Sequence, residues 1–285
     1  MQTFTGLEYI KIAIANARGM DKETWNKRIT WAADFLAKGP VEQSFEIDCA
    51  DEPLLMQKAI NAHRDAIAGV ATGFIMGLDA TASGLQVMAC AIGCEKTATN
   101  VNLIETTCGT RKDIYTKVAF TLNAITAAIG LVTNYARGEI KKPVMTTFYG
   151  SMQQPAELFG EGTPELQAFY ETLEKELPGA CEVMADIQSC WQPSATSHDW
   201  TLPDKHRAQV KVMNMVDKKI EVDELNHATF THRIAINAAN KKGLSLAANV
   251  IHSLDGWVVR EMYRRASLQG FAILPIHDSF WCSPN

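Results

Sequence analysis

The sequence predicts an α+β chain that is mostly helical and carries a few short strands. Three observations lead there. Apolar residues recur at helical spacing across 5–38, 53–67 and 100–190. Two short apolar runs, "FIMGL" and "FAILPI", each lead to an aspartate, and "AQVKVMNMV" at 208–216 alternates apolar and polar positions. The acids therefore fall at the few strand-like places in an otherwise helical pattern.

In chain order, Tyr9, Ile10, Ile12, Ile14 and Ala15 give a first helix an apolar face, which "RGMD" interrupts. Trp25, Ile29, Trp31 and Phe35 predict a second helix over 22–36. Residues 39–53 are acidic and turn-rich, and read as a surface connection. Helical spacing returns over 53–67. Phe74 to Leu78 reads as a short buried strand ending at Asp79, with a helix from about Ser83. Helices fill 100–190, punctuated at Pro143, Gly150, Pro155 and Pro178. After the alternating stretch, helix is expected again over 226–268, and 271–276 closes the chain as a buried strand leading to His277 and Asp278.

Composition narrows the class. Of 285 residues, 47% are hydrophobic and 21% charged, as in folded globular chains. There is no long uninterrupted apolar stretch, so no membrane span is expected, and "MQTFTGLEYIKIAIANARG" lacks the order of a secretion signal. A cytoplasmic location follows. Seven scattered cysteines (49, 90, 94, 108, 181, 190, 282) form no C-x-x-C pair, which speaks for free thiols and against structural zinc. Net charge is −5, mildly against a nucleic-acid partner, yet from Trp200 onward eleven bases face eight acids. "RGEIKKP" at 137–143 sets three bases around one acid.

If the two strands share one antiparallel sheet, Asp79 and Asp278 project at one edge. Converging carboxylates repel unless a cation lies between them. Hard oxygen ligands suit Mg²⁺, and a pair of such ions is the usual device for moving phosphoryl groups. By spacing alone, the same acids also serve as turn or capping residues or as a phosphohydrolase centre.

The flanking residues choose among these. "DATASGLQ" (79–86), "RGEIKKPVMTTFYGS" (137–151) and "IHDSF" (276–280) resemble, in the right order, three signature motifs of the single-subunit RNA polymerases of bacteriophages and mitochondria. "NVIHSLDG" at 249–256 is similar to the segment those enzymes carry before the third motif, and "GLEYIKIAIANARGMDK" and "RKDIYTKV" are similar to phage members. The resemblance implies a right-hand polymerase core with a small antiparallel palm sheet. Palm is expected over 1–107 and 253–285, and helical fingers over 108–252. It implies DNA-directed RNA synthesis, with ribonucleoside triphosphates as substrates, a DNA template and an RNA product.

It also implies roles. Asp79 and Asp278 would hold two Mg²⁺ ions, helped by the backbone carbonyl of Ala80. His277 is the motif's customary neighbour, expected in a framework role. Lys141 would bind the triphosphate, with Arg137 on the same helix face. Tyr149 and His252 would recognise the ribose 2′-hydroxyl, and Tyr115 would lie near the substrate's entry. Gly84, five residues after Asp79, stands where DNA-synthesising relatives carry a glutamate that excludes a 2′-hydroxyl, and Ser279 stands where they usually carry a second glutamate. The alternative is an inactive remnant of the same fold acting as a structural or binding subunit. The family's N-terminal promoter domain, thumb and C-terminal extension have no counterpart here, so a second polymerase subunit or a missing fragment is expected. The resemblance points to a phage-infected bacterial host.

Overall fold

A computed structural model describes residues 4–104, 111–241 and 243–284. Cys108 and the expected palm–fingers boundary at 107 lie outside these residues. Among them the chain is mostly helical, with three small antiparallel sheets, and it divides into two compact units. One unit comprises 1–83, 101–113 and 259–285, the other 84–100 and 114–258.

The first unit begins with α1 (Gly6–Ala15), capped by a reciprocal pair in which Thr5 Oγ accepts from Glu8 N–H and Glu8 accepts from Thr5 N–H. A π-helical turn, Asn16–Met20, follows, with Gly19 at φ 104. That turn is what "RGMD" does to the helical period, and it redirects the chain into α2 (Trp25–Leu36). The expected surface connection at 39–53 contains a helix instead, α3 (Pro40–Asp48). Pro40 opens it, and Glu42 accepts the Gly39 N–H. No residue of α3 is buried, which is why its apolar period gave no signal. α4 (Pro53–Ile67) runs over the expected residues. Ile10, Ile12 and Ile14 pack with Phe35, Met56 and Ile60 into one core, which Phe74 and Met76 extend toward the sheet.

That sheet has the order β1–β7–β6, built from β1 (Met76–Asp79), β6 (Leu274–Ile276) and β7 (Ser279–Cys282). The two expected strands thus share one sheet but are not neighbours. β7 pairs antiparallel with both, placing Asp79 opposite Ser279 and Ile276 opposite Ser279. "FAILPI" was expected to be buried. Leu274 and Ile276 are 49% and 48% exposed, because β6 is an edge strand with no element on its outer side among the described residues.

The second unit is built from α5 (Ser83–Ile92, whose first residue belongs to the other unit), α6 (Glu95–Asn100), α7 (Ile114–Ala128) and α8 (Arg137–Thr147). α9 (Gln153–Phe159), α10 (Pro164–Glu176) and α11 (Pro178–Ser189) complete its helical part. Met88, Ile114, Leu122, Ile140, Phe169, Leu173 and Leu177 are its largest fully buried side chains. Two hairpins follow: β2 (Ser197–Thr201) with β3 (Arg207–Lys211), and β4 (Met213–Val222) with β5 (Ala228–Asn237). Residues 228–237, expected as helix, therefore form a strand. Nearly every residue of β4 and β5 is exposed, so no apolar face announces the ribbon. The long α12 (Leu244–Leu268) follows, its residues through Val258 in this unit and those from Val259 in the first. No helix among the described residues is long and apolar enough to cross a membrane.

Candidate functional site

The expected site residues fall into two groups, one in each unit. In the first, Asp79 ends β1, and Asp278 lies in the two-residue turn His277–Asp278 that joins β6 to β7. Asp278 is thus adjacent to Ser279, the residue facing Asp79 across the pair. The turn requires a positive φ at its first position, and His277 supplies it at φ 56. Histidine is among the side chains that enter this region more readily than most, so a backbone role accounts for His277.

The carboxyl of Asp79 is held above the ordinary carboxylate range, first by partial burial and then by the charge of Asp278. Lys22, the Ala80 N–H and Arg111 oppose the shift. The residue as a whole remains exposed, so solvent screens these influences. The carboxylates of Asp79, at the end of β1, and of Asp278, in the β6–β7 turn, are hard oxygen donors, a chemistry that suits Mg²⁺.

Sequence reasoning passed over the surroundings of this pair. Arg111 donates to the Asp21 carbonyl and to Thr81 Oγ1 at 3.2 Å, joining the "GMDK" turn to the loop after Asp79. Lys22 pairs with Asp21. Arg28, almost fully buried, donates to the carbonyls of Asp21 and Glu23 and to Asn16 Oδ1. Burial foremost, then Arg111, brings its pKa down to about 10. No spacing rule links residues 18–28, 79–81 and 111; the fold alone brings them together.

In the second group, Gly84 begins the buried part of α5. A Cβ built there would lie 3.2 Å from Tyr149 Oη and 3.3 Å from Ile251 Cγ2. The Tyr149 and His252 rings lie 4.9 Å apart with their planes tilted by 45°. Gly84, Tyr149 and His252, far apart in sequence, are thus one cluster. Tyr149 follows the end of α8, and Gly150 at φ 87 turns the chain beyond it. Arg137 starts α8, and its guanidinium sits 5.4 Å from the ring centroid of Tyr115, which is buried on α7. Lys141 lies one turn along, exposed, beside a shallow depression lined by Gly138, Lys142, Met145 and Thr146. The helix continues through Pro143, with Thr147 Oγ1 donating to the Pro143 carbonyl at 2.8 Å.

A separate group of metal-capable side chains, Glu221, Asp223 and His227, sits exposed at the tip of the β4–β5 hairpin. His227 Nδ1 lies 2.9 Å from Glu221 and 3.2 Å from Asp223, so the contacts of the ring nitrogen with the two carboxylates account for the grouping.

The profile of the DNA-dependent RNA polymerase family matches residues 2–160. A DNA-directed RNA polymerase of Pseudomonas phage phiKMV is 31% identical over 173 residues, covering 51% of this chain and 21% of the relative. The matched part spans about a fifth of that relative's length. With more than half of its residues matched, the chain belongs to the DNA-dependent RNA polymerase family.

Proposed function

We propose that this chain carries the nucleotidyl-transfer centre of a DNA-directed RNA polymerase, adding ribonucleotides to a growing RNA on a DNA template and releasing pyrophosphate. The observation that carries the reading is the β1–β7–β6 sheet, which brings Asp79 and Asp278, far apart in the sequence, to adjoining positions. In-line attack on an α-phosphate needs positioning and charge neutralisation more than covalent chemistry, and two Mg²⁺ ions held by these carboxylates would supply the neutralisation.

The chain's own residues take the remaining roles. Lys141 and Arg137 bind the triphosphate, and Lys141 donates a proton to the departing pyrophosphate. Tyr149 and His252 recognise the ribose, and Gly84 leaves the 2′-position clear of a side chain. Tyr115, under the Arg137 guanidinium, sets that side chain's place at substrate entry. On this reading palm spans 1–107 and 253–285, and fingers 108–252. Promoter recognition is assigned to polypeptide not contained in these 285 residues, either a partner chain or further sequence. The setting is the cytoplasm of an infected bacterium.

A primed DNA template incubated with the protein, Mg²⁺ and labelled ribonucleotides tests this directly. Extension that Asp278→Asn abolishes and Lys141→Met slows by about a hundredfold is the expected result. Release of free phosphate without extension would indicate a hydrolase, and silence an inactive remnant.

A further inference from the structure

We infer that Trp200 is a positioning residue for His252, acting through Ser253, and so a determinant of sugar selectivity; this rests on the ribose-recognition role given to His252 above. Trp200 lies on β2, opposite Ala208 in the β2–β3 hairpin. Its indole N–H donates to Ser253 Oγ at 2.8 Å. Ser253 follows His252 on α12, and its hydroxyl donates in turn to the Val250 carbonyl at 2.7 Å.

A serine inside a helix ordinarily turns its hydroxyl onto a carbonyl of the preceding turn, where its lone pairs remain open. Here the indole occupies one of them, so the hydroxyl both accepts and donates, and its rotamer is fixed. The turn held in this way is Val250–Ser253. It also carries Ile251, the side chain facing Gly84, and His252, the ring against Tyr149. The clamp thus acts on the one helical turn that supplies two walls of the ribose cluster.

The same hairpin region grips α12 at its start. Trp191 stacks on His198 with ring centres 4.4 Å apart and donates from Nε1 to the Asn240 carbonyl at 3.0 Å. Its ring also occupies the space where a side chain on Gly243 would lie, at 2.4 Å. Two tryptophans therefore fix the helix: Trp191 before its first turn and Trp200 beside His252. The His252 ring, carried by this turn, follows any small rotation of it. Recognition of one hydroxyl by a hydrogen bond tolerates little such movement, because both distance and angle must hold.

The test separates this inference from the reading it rests on. The protein is labelled at histidine Cε1, and the His252 resonance is assigned by its loss in His252→Gln. Ser253→Ala removes only the hydroxyl, whereas Trp200→Phe removes the N–H donor together with part of the ring, so a folded variant is available from one or the other. Each is expected to move the His252 resonance, and the double variant to move it no further. In extension assays Trp200→Phe should lower the preference for ATP over dATP by about fivefold, the scale of one lost hydrogen bond, and add nothing in a His252→Gln background. General loosening of the fold would slow both substrates alike and leave the ratio unchanged. An unmoved His252 resonance in both folded variants, or a ratio unchanged by Trp200→Phe, overturns the inference. Wild-type protein that does not prefer ribonucleotides sinks the assigned role of His252 instead, while the resonance still decides whether Trp200 positions the ring.

Discussion

The six-membered half of the Trp281 indole covers Gly77: a Cβ built on the glycine would lie 2.3 Å from Cε2 of the ring. The two residues face each other across β1 and β7, on the sheet face that Gly77 shares with Asp79 by strand alternation. The bare backbone of one strand thus accommodates the largest side chain of its neighbour. Gly77→Ala is expected to destabilise the protein by about 2 kcal/mol through overpacking. Trp281→Ala in the same molecule should recover part of that loss, whereas independent sites would simply add. Chemical denaturation of the four members of this cycle measures the coupling, and strict additivity would show that the contact carries none of it.

Asp79 and Asp278 lead to a pH prediction. Burial and the neighbouring charge raise the Asp79 pKa in the folded state. A raised acid favours the folded form while protonated, so its contribution is fully present below the unfolded value and is lost as pH rises through the folded one. Without divalent ions, Asp79→Asn should therefore gain in melting temperature relative to wild type as pH rises over that interval. Added Mg²⁺ should stabilise wild type and leave Asp79→Asn little changed. Melting curves across pH, with and without Mg²⁺, decide it; equal Mg²⁺ stabilisation of both proteins would remove Asp79 from the ion-binding set.

Glu176 behaves in the opposite sense. It ends α10 almost fully buried, accepting from Lys117 Nζ at 2.8 Å and Thr121 Oγ1 at 3.0 Å, while Asn100 donates to its backbone carbonyl at 2.7 Å. Burial is the largest single influence and pushes its pKa up, but the hydrogen bonds from Lys117 and Thr121 with the charges of Lys117 and Lys96 oppose it, and the net shift is downward. A lowered acid stabilises the fold above its unfolded value and loses that contribution as pH falls through the folded one. Glu176→Gln should cost about 2 kcal/mol at neutral pH, the scale of hydrogen bonds to a charged acceptor, and progressively less in acid. A pH-independent cost in urea unfolding would contradict this assignment.

Gly84 has less space than its missing side chain suggests. Alanine would meet Tyr149 Oη and Ile251 Cγ2 slightly inside ordinary contact, so both must yield by a few tenths of an ångström. The entropy gained by replacing a helical glycine, about 0.5–1 kcal/mol, should offset much of that crowding. Gly84→Ala is therefore expected to fold with near-normal stability yet discriminate less between ribo- and deoxyribonucleotides, because Tyr149 is displaced. Thermal unfolding and competitive incorporation check the two halves; unchanged selectivity would mean that the position of Tyr149 is not critical.

The order of apolar and polar residues alone determined α4, α5 and the approach of a strand to Asp79, since each has one face against a core and shows its period. Motif resemblance singled out Asp79, Lys141, Tyr149, His252 and Asp278. What it could not reach has a common physical cause. α3 and the β4–β5 ribbon bury almost nothing, so their periods carry no apolar signal. β7 was hidden behind the aspartate expected to end the sheet, because a two-residue turn leaves almost no mark in composition. Only tertiary structure decided that Ser279 faces Asp79, that Trp281 covers Gly77, that Arg111 braces Thr81 and that Trp200 reaches Ser253. Such contacts join residues through space, where strand register and side-chain direction, rather than local spacing, select the partner.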